Sequence, residues 1–588
     1  MRRTSICFVL AAAAGVAAGQ SASKIDHTLG VPVAGEAPQR AVDATPLTAQ
    51  TNIVSDGFGV GLGVNINDFV GASRFYNAGF TGSTATVAII EGGNAWLGHD
   101  ATQNTQNFAV PGAAVQEAQH ATWVTAVAAG FDPGGTGDLE RGIAFGADAQ
   151  SYSLLTSILG SPLSGGNTFS TSGIVIFRSL DAALRTGSLA GGQTADVVNL
   201  SWGSANTNGP GFSLSDVLAD AFSYETGGVV TASVGNGGAS SFSTPGVGLN
   251  TINVGATGQG NVAPFYTENA GFSSRGFSGF FDRDNIDPDT GNPIIFSQAY
   301  IPVDIVAPGQ DLTLPNFSAV GASDTFDSGI GGTSFSAPTV AGGVALLTDA
   351  GNQVLGTNPI ATDARVIKAV LLNSASKELT GYDNGQAVDG AGILTTTQAL
   401  DPTYGTGQLD LDAAFDQYLS GTTDLAGTGG GEVEAIGWDF GVVGDGQTEL
   451  YTVGPELLGG TDVTVTLSWF ASYELGFVPG NESVGDNRFA DLDLSVFELD
   501  ADGNIVETLA QSISAFQSEE HLSFTLAEDA FIGFGVTGFG DVWDFGFDEN
   551  STEYALAWSG TPVPSPAGFA VLLSLGGLGA SRRRRREV

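Results

Sequence analysis

A serine, a histidine and a carboxylate that could together cleave an acyl bond stand far apart in this chain of 588 residues. Ser334 follows Gly332 and Thr333, and Pro338 comes four residues later. This pattern predicts a loop that turns into a helix, with the serine at the helix start. Backbone N–H groups are free there and the helix dipole favours negative charge. A hydroxyl in that place could attack a carbonyl while its own N–H stabilises the resulting oxyanion.

A base, an acid and an amide donor precede this serine in the sequence. His120 opens a helical stretch, and histidine is the usual base at neutral pH. Glu91 ends an apolar run that is typical of a buried strand, where a carboxylate needs a partner. Asn236 follows another such run, and its side-chain amide could donate a hydrogen bond into the same space. The chain order is therefore acid, base, amide donor and nucleophile.

Apolar runs and helical patterns alternate between residues 65 and 420. The sequence predicts buried strands at 84–90, 197–201, 228–234, 251–256 and 303–306, and helices at 115–129, 174–185, 213–224, 334–347 and 364–376. This alternation favours an α/β fold in which helices cover both faces of a parallel sheet. In such a fold functional groups collect at the carboxyl ends of the strands.

The pattern changes after about residue 425. Short segments of alternating polarity occur at 461–469, 492–499, 521–526 and 554–558, between turns rich in Gly, Asp and Asn. These segments predict a second domain, an antiparallel β-sandwich over 425–560.

Several motifs in a fixed order make residues 65–420 resemble the subtilases, the subtilisin-like serine proteases. Residues 332–338 resemble the serine motif and 235–237 the oxyanion motif of that family. Residues 120–124 resemble its histidine motif, with Ala121 and Trp123 in place of the usual Gly and His. Residues 198–203 resemble the strand that pairs with substrate backbone. The stretches 272–276, 306–309 and 404–407 are further landmarks, and the order acid, histidine, serine is that of subtilisin.

The resemblance implies a serine endopeptidase that forms an acyl-enzyme on protein or peptide substrates. Ser334 would be the nucleophile, His120 the general base and then acid, and Asn236 the oxyanion donor. Substrate contacts would come from Ser201, Trp202, Gly203 and Gly235. The chemistry would need no cofactor, metal ligands are unknown, and structural calcium stays open.

The acid is the departure from the family pattern, because Glu91 stands where the family has Asp. Glu is longer by one methylene, about 1.5 Å, and a 1 Å misplacement can cost about 100-fold in rate. Gly92 and Gly93 could let the backbone absorb this length. The alternative is a catalytically weak or inactive subtilase fold that serves as a surface adhesion or scaffold protein.

Other polar residues have plainer interpretations. His99 is an alternative base, but a surface polar role is the preferred interpretation. Asp491 and Asp493 alternate on a predicted strand, which fits a Ca²⁺ site and a solvated strand face equally well. The stretch 519–521 is interpreted as structural. Four tryptophans are assigned to the core of the predicted sandwich: Trp438, Trp469, Trp543 and Trp558.

The chain is strongly acidic, with a formal net charge of −43 at pH 7. Residues 20–581 hold 12 basic and 61 acidic residues, a net charge of −49. This charge argues against nucleic acid or an anionic membrane surface as a partner. The one cysteine is Cys7, so a chain that loses its first residues would have no disulfide.

The two ends predict export and sorting. Residues 1–19 have the basic start and apolar run of a secretory signal peptide, and 20–64 read as a linker or short pro-segment. Residues 561–588 resemble a PEP-CTERM sorting tag, with Ser565 where Glu is typical. This resemblance implies membrane association before processing by an exosortase-type enzyme. We therefore expect a protein secreted from, or displayed on, a Gram-negative-type envelope.

Overall fold

The computed structural model describes fifteen stretches of the chain. They are residues 39–41, 46–51, 54–55, 64–131, 141–158, 168–206, 209–211, 213–239, 241–258, 265–287, 293–317, 325–356, 358–421, 427–545 and 550–562. The predicted signal peptide, His27 and nearly all of the predicted sorting tag lie outside them. Within the described residues, no helix has the length and apolar character needed to cross a membrane.

Eight α-helices lie in the described part of the first 420 residues. They are α1 (Ile66–Phe69), α2 (Ala72–Ala78), α3 (Gln119–Ala129), α4 (Gly173–Leu180), α5 (Leu214–Thr226), α6 (Thr333–Ala350), α7 (Ala364–Ser374) and α8 (Leu411–Ser420). A 3₁₀ turn covers Asp100–Thr102, and π-helical turns extend α4 over Asp181–Thr186 and α6 over Gly351–Leu355. The five helices predicted from the sequence are all present, with the ends of the α-helices shifted by up to five residues.

The same region contains twenty-one strands. They are β1 (Gln39–Ala41), β2 (Pro46–Thr51), β3 (Val54–Ser55), β4 (Thr86–Glu91), β5 (Gln106–Ala109), β6 (Asp148–Ser153), β7 (Ser157–Ile158), β8 (Thr168–Ser172), β9 (Val197–Leu200), β10 (Trp202–Asn206), β11 (Val229–Ser233), β12 (Phe242–Thr244), β13 (Ile252–Gly258), β14 (Glu268–Asn269), β15 (Ser278–Ile286), β16 (Pro293–Tyr300), β17 (Ile305–Pro308), β18 (Leu312–Pro315), β19 (Phe326–Gly331), β20 (Ala387–Val388) and β21 (Leu394–Thr396).

The central sheet has the order β14-β13-β11-β9-β4-β6-β5, with β17 also paired to β13. All its pairings are parallel except that of β13 with β14. Strands β4, β9, β11 and β17 are buried along their whole length, as expected when helices cover both faces. The prediction of a parallel α/β core is confirmed.

Helix α6 carries the predicted nucleophile through the middle of this domain. All of its residues are buried, and it packs on α3 and on β9, β11, β13 and β17. Its Ala and Gly residues have small side chains or none, which allows this close packing on several sides. The serine at its first turn is therefore held by a helix that has little freedom to move.

The C-terminal region is formed by ten strands. They are β22 (Gly431–Val433), β23 (Ile436–Gly444), β24 (Thr448–Val453), β25 (Thr461–Trp469), β26 (Ser472–Val478), β27 (Asn481–Leu499), β28 (Ile505–Ser512), β29 (Glu519–Thr525), β30 (Phe531–Asp544) and β31 (Ser551–Pro562). They form a four-stranded antiparallel sheet, β23-β31-β25-β29, and most of a nine-stranded, mainly antiparallel sheet along β28-β27-β30-β24. These antiparallel sheets are consistent with the predicted β-sandwich.

The two regions share contacts throughout. Strand β21 of the first region pairs with β28 of the second, and α7 packs on β25 and β31. The tryptophans predicted as core are at most 1 % exposed: Trp438, Trp469, Trp543 and Trp558. Their burial agrees with a core role, and Trp438 packs on Tyr418 of α8 in the first region.

The segment predicted as a linker or short pro-segment contains three strands that pair with distant parts of the chain. Strand β1 pairs with β27, β2 lies between β8 and β10, and β3 pairs with β19. The sequence of this segment has no clear periodicity, because these pairings depend on distant partners and not on a local pattern.

Candidate active site

The carboxyl end of β4 positions the candidate acid. Glu91 is 1 % exposed, and each of its carboxylate oxygens has a partner. Its Oε2 lies 3.1 Å from His120 Nδ1, and its Oε1 accepts a hydrogen bond of 3.1 Å from the backbone N–H of Ser201. The two partners fix the carboxylate at hydrogen-bonding distance from the imidazole ring. The glutamate therefore reaches the histidine in spite of its extra methylene.

A close approach of strand and helix makes this distance possible. Gly93 has φ +148°, and a Cβ there would lie 2.6 Å from Cβ of Ala118, the N-cap residue of α3. Any larger residue would push the start of α3, and His120 with it, away from the end of β4. The expectation that Gly93 accommodates Glu91 therefore has a physical basis in this packing.

His120 lies in the first turn of α3 and presents its second nitrogen to the site. With Nδ1–H donating to Glu91, Nε2 is left as the acceptor. Among the described residues, none hydrogen-bonds this buried Nε2. Phe335 packs beside the imidazole at a ring-centroid distance of 5.8 Å. The tautomer that Glu91 selects is thus the one that can take a proton from a nucleophile.

Ser334 lies in the first turn of α6, directly after Gly332 and Thr333. The serine is fully buried, and its Oγ donates a hydrogen bond of 3.0 Å to the carbonyl oxygen of Ser201. Its backbone N–H belongs to the first helical turn, where no intrahelical acceptor exists. The hydroxyl must rotate away from Ser201 before it can donate to His120.

Asn236 brings an amide donor to the start of the same helix. Its Oδ1 accepts hydrogen bonds of 3.0 Å from both the N–H and the hydroxyl of Thr333. This orients the amide, and its buried Nδ2 has no hydrogen-bond acceptor within the part of the chain that the structure describes. Gly235 has φ +107°, and a Cβ there would lie 2.6 Å from Ser243 Oγ, so the turn needs glycine.

Ser201 connects the parts of the site, a role that the sequence did not indicate. Besides its N–H to Glu91 and its carbonyl to Ser334, its hydroxyl donates to the Ser334 carbonyl at 2.9 Å. The same hydroxyl accepts from Asn199 Nδ2 at 2.9 Å, and Asn199 Oδ1 accepts from Thr231 at 3.1 Å. These buried bonds tie β9 and β11 to α6. A run of polar residues at the end of an otherwise apolar strand is the only local signal for this network.

Of the residues predicted to bind substrate, Trp202 and Gly203 lie on β10, Ser201 directly precedes it, and Gly235 follows β11. The Trp202 side chain is buried and donates to the Ile90 carbonyl at 2.9 Å, so only the backbone of this residue faces the strand edge. The backbone of Trp202 and Gly203 pairs with Thr51 and Gln50 of β2. The edge predicted to bind an extended peptide does bind a strand here, and that strand belongs to the chain itself.

Three of the other polar candidates lie away from the site. The predicted surface role of His99 is wrong, because the residue is fully buried: its Nδ1 accepts from Ala101 N–H, and Nε2 lies 3.0 Å from the Thr325 carbonyl. Asp491 and Asp493 lie half-buried on β27, where burial raises their pKa values to about 7 and about 6. Within the described residues, no group of three or more His, Cys, Asp or Glu could hold a metal ion.

The comparison with known families agrees with the fold. The model described as the subtilase family, Peptidase_S8, matches residues 96–407. The chain belongs to the subtilase family and is a subtilase-family peptidase. His120, Asn236 and Ser334 lie inside the matched residues, whereas Glu91 lies before them.

Solved structures give distant likenesses. The structure of the prenylagaramide maturation protease PagA has 18 % sequence identity and a TM-score of 0.39, and the match covers 59 % of this chain and 98 % of that chain. The patellamide maturation protease PatA has the same identity and TM-score, with 57 % and 98 % covered. No curated protein matches the chain.

Proposed function

We propose that this subtilase is an active serine endopeptidase that uses Glu91 in place of aspartate. One observation supports the proposal: two buried atoms next to the start of α6, His120 Nε2 and Asn236 Nδ2, have no hydrogen-bond partner among the described residues. The first can accept the Ser334 proton, and the second can donate to an oxyanion. We infer this role from their chemistry and from their position, because Asn236 is bonded to Thr333 and His120 packs on Phe335, the two neighbours of the serine.

The proposed reaction begins when a peptide carbonyl lies against the start of α6. The Ser334 hydroxyl rotates from the Ser201 carbonyl, transfers its proton to His120 Nε2 and attacks the carbonyl carbon. Glu91 stabilises the imidazolium that forms. The Ser334 N–H and Asn236 Nδ2 donate to the oxyanion. A preorganised donor of this kind lowers the activation free energy by about 3–4 kcal/mol.

The second half of the reaction reverses these proton transfers. His120 gives its proton to the departing amine, the C–N bond breaks, and an acyl-enzyme remains on Ser334. Water then loses a proton to His120 and attacks the ester carbonyl, which releases the acid product and restores the serine. Each step uses the same acceptor atom and the same two donors.

The cellular setting that we propose follows from the two ends of the sequence. The protein is exported by its N-terminal signal, sorted through its PEP-CTERM-like tail by an exosortase-type enzyme, and secreted or displayed on the surface. The C-terminal strands form a β-sandwich accessory domain in this proposal. Its substrates are proteins or peptides, and no cofactor takes part in the chemistry.

Covalent labelling with a fluorophosphonate probe tests the activity. The probe should label the folded wild-type chain and fail to label Ser334→Ala, and only the labelled form should cleave casein. The matched control is Ser336→Ala on the same helix, which should still be labelled. A folded wild-type chain with an open cleft that takes no label would contradict the proposal and favour the scaffold alternative.

A further inference from the structure

The chain fills its own cleft on both sides of the nucleophile. On one side, β2 lies antiparallel between β8 and β10, with Thr51 opposite Trp202, the residue after Ser201. On the other side, β3 pairs with β19, with Val54 opposite Gly331, three residues before Ser334. Ser334 is fully buried in this arrangement. A substrate that pairs with the same two edges would have to displace these strands.

A third strand of the same segment lies on the C-terminal region. Strand β1 pairs antiparallel with β27, with Gln39 opposite Gly485, Arg40 opposite Val484 and Ala41 opposite Ser483. A four-residue connection separates β1 from β2, so the pairing on β27 begins within about 18 Å of the cleft strand. The segment therefore bridges the two regions of the molecule.

The edge that receives β1 is otherwise unfilled by strands of the C-terminal sheet. Strand β26 pairs with β27 on one side over this stretch, while β30 pairs with the opposite side only as far as Arg488, opposite Asp544. Strand β1 continues the row where β30 ends. An open strand edge presents unpaired N–H and C=O groups that bind another strand. The β27 edge at 483–485 thus has the geometry of a docking site.

This edge is fixed relative to the catalytic region. Glu482, next to the docking residues, accepts hydrogen bonds from Arg178 of α4, and the ion pair measures 2.8 Å. Arg178 holds the pKa of Glu482 below its ordinary value despite the cost of desolvation. Strand β26 packs on α5 of the same region. A strand docked at 483–485 is consequently held at a constant distance from the cleft.

We propose that the β27 edge at residues 483–485 is a docking site for the chain's own strand Gln39–Ala41, and that this docking keeps β2 and β3 in the cleft. The C-terminal region then controls access to Ser334. Docking at one end raises the effective concentration of the cleft strands at the other. The effect on access rests on the proposed function, whereas the docking itself does not.

A reversible cross-link in the full chain tests the docking. The variants Ala41→Cys and Ser483→Cys change two residues that are opposite each other in the strand register, and opposed residues on antiparallel strands are close enough for a disulfide after a small adjustment. Cys7→Ser removes the one native cysteine. We expect an intramolecular disulfide, and fluorophosphonate labelling of Ser334 about tenfold slower in the oxidised than in the reduced form. Amide exchange at Trp202 and Gly203 should slow in parallel.

The control pairs Ala41→Cys with Ser188→Cys, an exposed residue of the catalytic region. It should form no intramolecular disulfide and label at one rate with or without reductant. Three outcomes would overturn the proposal. They are the absence of the Ala41–Ser483 cross-link, a cross-link between two copies of the chain, and a cross-link that leaves amide exchange and labelling unchanged. A cross-link that slows amide exchange in a chain never labelled would support the docking and contradict the peptidase.

Discussion

Two buried clusters of ionisable groups in this molecule leave different kinds of atom without a hydrogen bond. In the active site, the Glu91 carboxylate lies 3.1 Å from His120 Nδ1, and His120 Nε2 has no partner among the described residues. At the junction of the two regions, Lys368 of α7 contacts Asp304 at 3.4 Å and also contacts Glu519 of β29. Lys368 further donates to the carbonyl oxygens of Leu249 and Thr251.

The first cluster keeps a nitrogen that can accept a proton, whereas the Lys368 cluster joins the two regions of the protein. All three donor positions of the Lys368 ammonium have acceptors, and the atoms of this cluster without a hydrogen-bond partner among the described residues are two carboxylate oxygens, Asp304 Oδ1 and Glu519 Oε2. Burial opposes its charge, but Asp304 and Glu519 more than compensate and raise its pKa, whereas burial raises the pKa of Asp304. We therefore expect changes at Glu91 to affect rate and changes at Lys368 to affect folding.

Glu91→Gln should have the largest effect of these changes, on kcat and hardly at all on stability. The amide keeps the size of the side chain but carries no charge, so it does not stabilise the imidazolium. If its N–H group faces His120 Nδ1, it also favours the wrong tautomer of the imidazole. We expect kcat on a peptide substrate to fall by about 10⁴-fold. The free energy of unfolding should change by no more than about 1 kcal/mol. A variant with nearly normal kcat would show that Glu91 does not act on His120.

Glu91→Asp sharpens this comparison by keeping the charge and shortening the reach. The carboxylate would lose the N–H of Ser201, or His120, or both. A loss of about 10–100-fold in kcat is expected, since the site is fitted to the longer acid. A gain in rate would instead mean that glutamate is a poor substitute for aspartate here.

Lys368→Met should be the most destabilising of the changes considered. It leaves Asp304 and Glu519 buried without their cation, and breaking such a pair costs about 3–5 kcal/mol. Urea unfolding measures the loss. Lys377→Met is the matched control: Lys377 donates to the carbonyl oxygens of Asn373 and Ala375, and within the described residues it forms no salt bridge, with Asp410 acting on it only at longer range. Equal losses in the two variants would contradict the role assigned to the buried cluster.

Asn236→Ala tests the second unoccupied atom of the active site. Removing Nδ2 deletes one oxyanion donor, which should lower kcat by about 10²–10³-fold with little change in KM. The variant also frees the Thr333 N–H and hydroxyl. Asn504→Ala, in an exposed turn of the C-terminal region, should leave kcat unchanged. A drop confined to KM would mean that Asn236 binds substrate and does not stabilise the transition state.

The sequence was enough to select candidate site residues, but it did not predict the contacts that position them. Ser334, His120 and Asn236 each follow an apolar strand or open a helix, so local pattern was enough to select them. The threefold role of Ser201 depends on backbone groups that only the assembled sheet brings together. The pairings of β1, β2 and β3 are long-range, and strand register is set by the partner as much as by the strand. His99 was expected at the surface because sequence alone does not show what covers a polar loop.

The smallest effect should appear at Asp491, a half-buried carboxyl group of the C-terminal region that lies away from the active site. Burial, with Asp493 and Asp541 nearby, raises the pKa of Asp491 to about 7 from an ordinary value of about 3.9. The folded state therefore binds this proton more tightly than the unfolded chain. Its contribution to stability is fully present below about pH 4 and is lost as pH rises through about 7.

Asp491→Asn removes this loss, since the amide stays neutral at every pH. Relative to wild type, the variant should unfold with nearly unchanged free energy at pH 4 and gain about 1–2 kcal/mol at pH 8, after allowance for partial exposure. Urea unfolding at the two pH values measures the difference, and Asp502→Asn, in an exposed turn, should show none. A variant less stable than wild type at pH 8 would reverse the sign and contradict the raised pKa of Asp491.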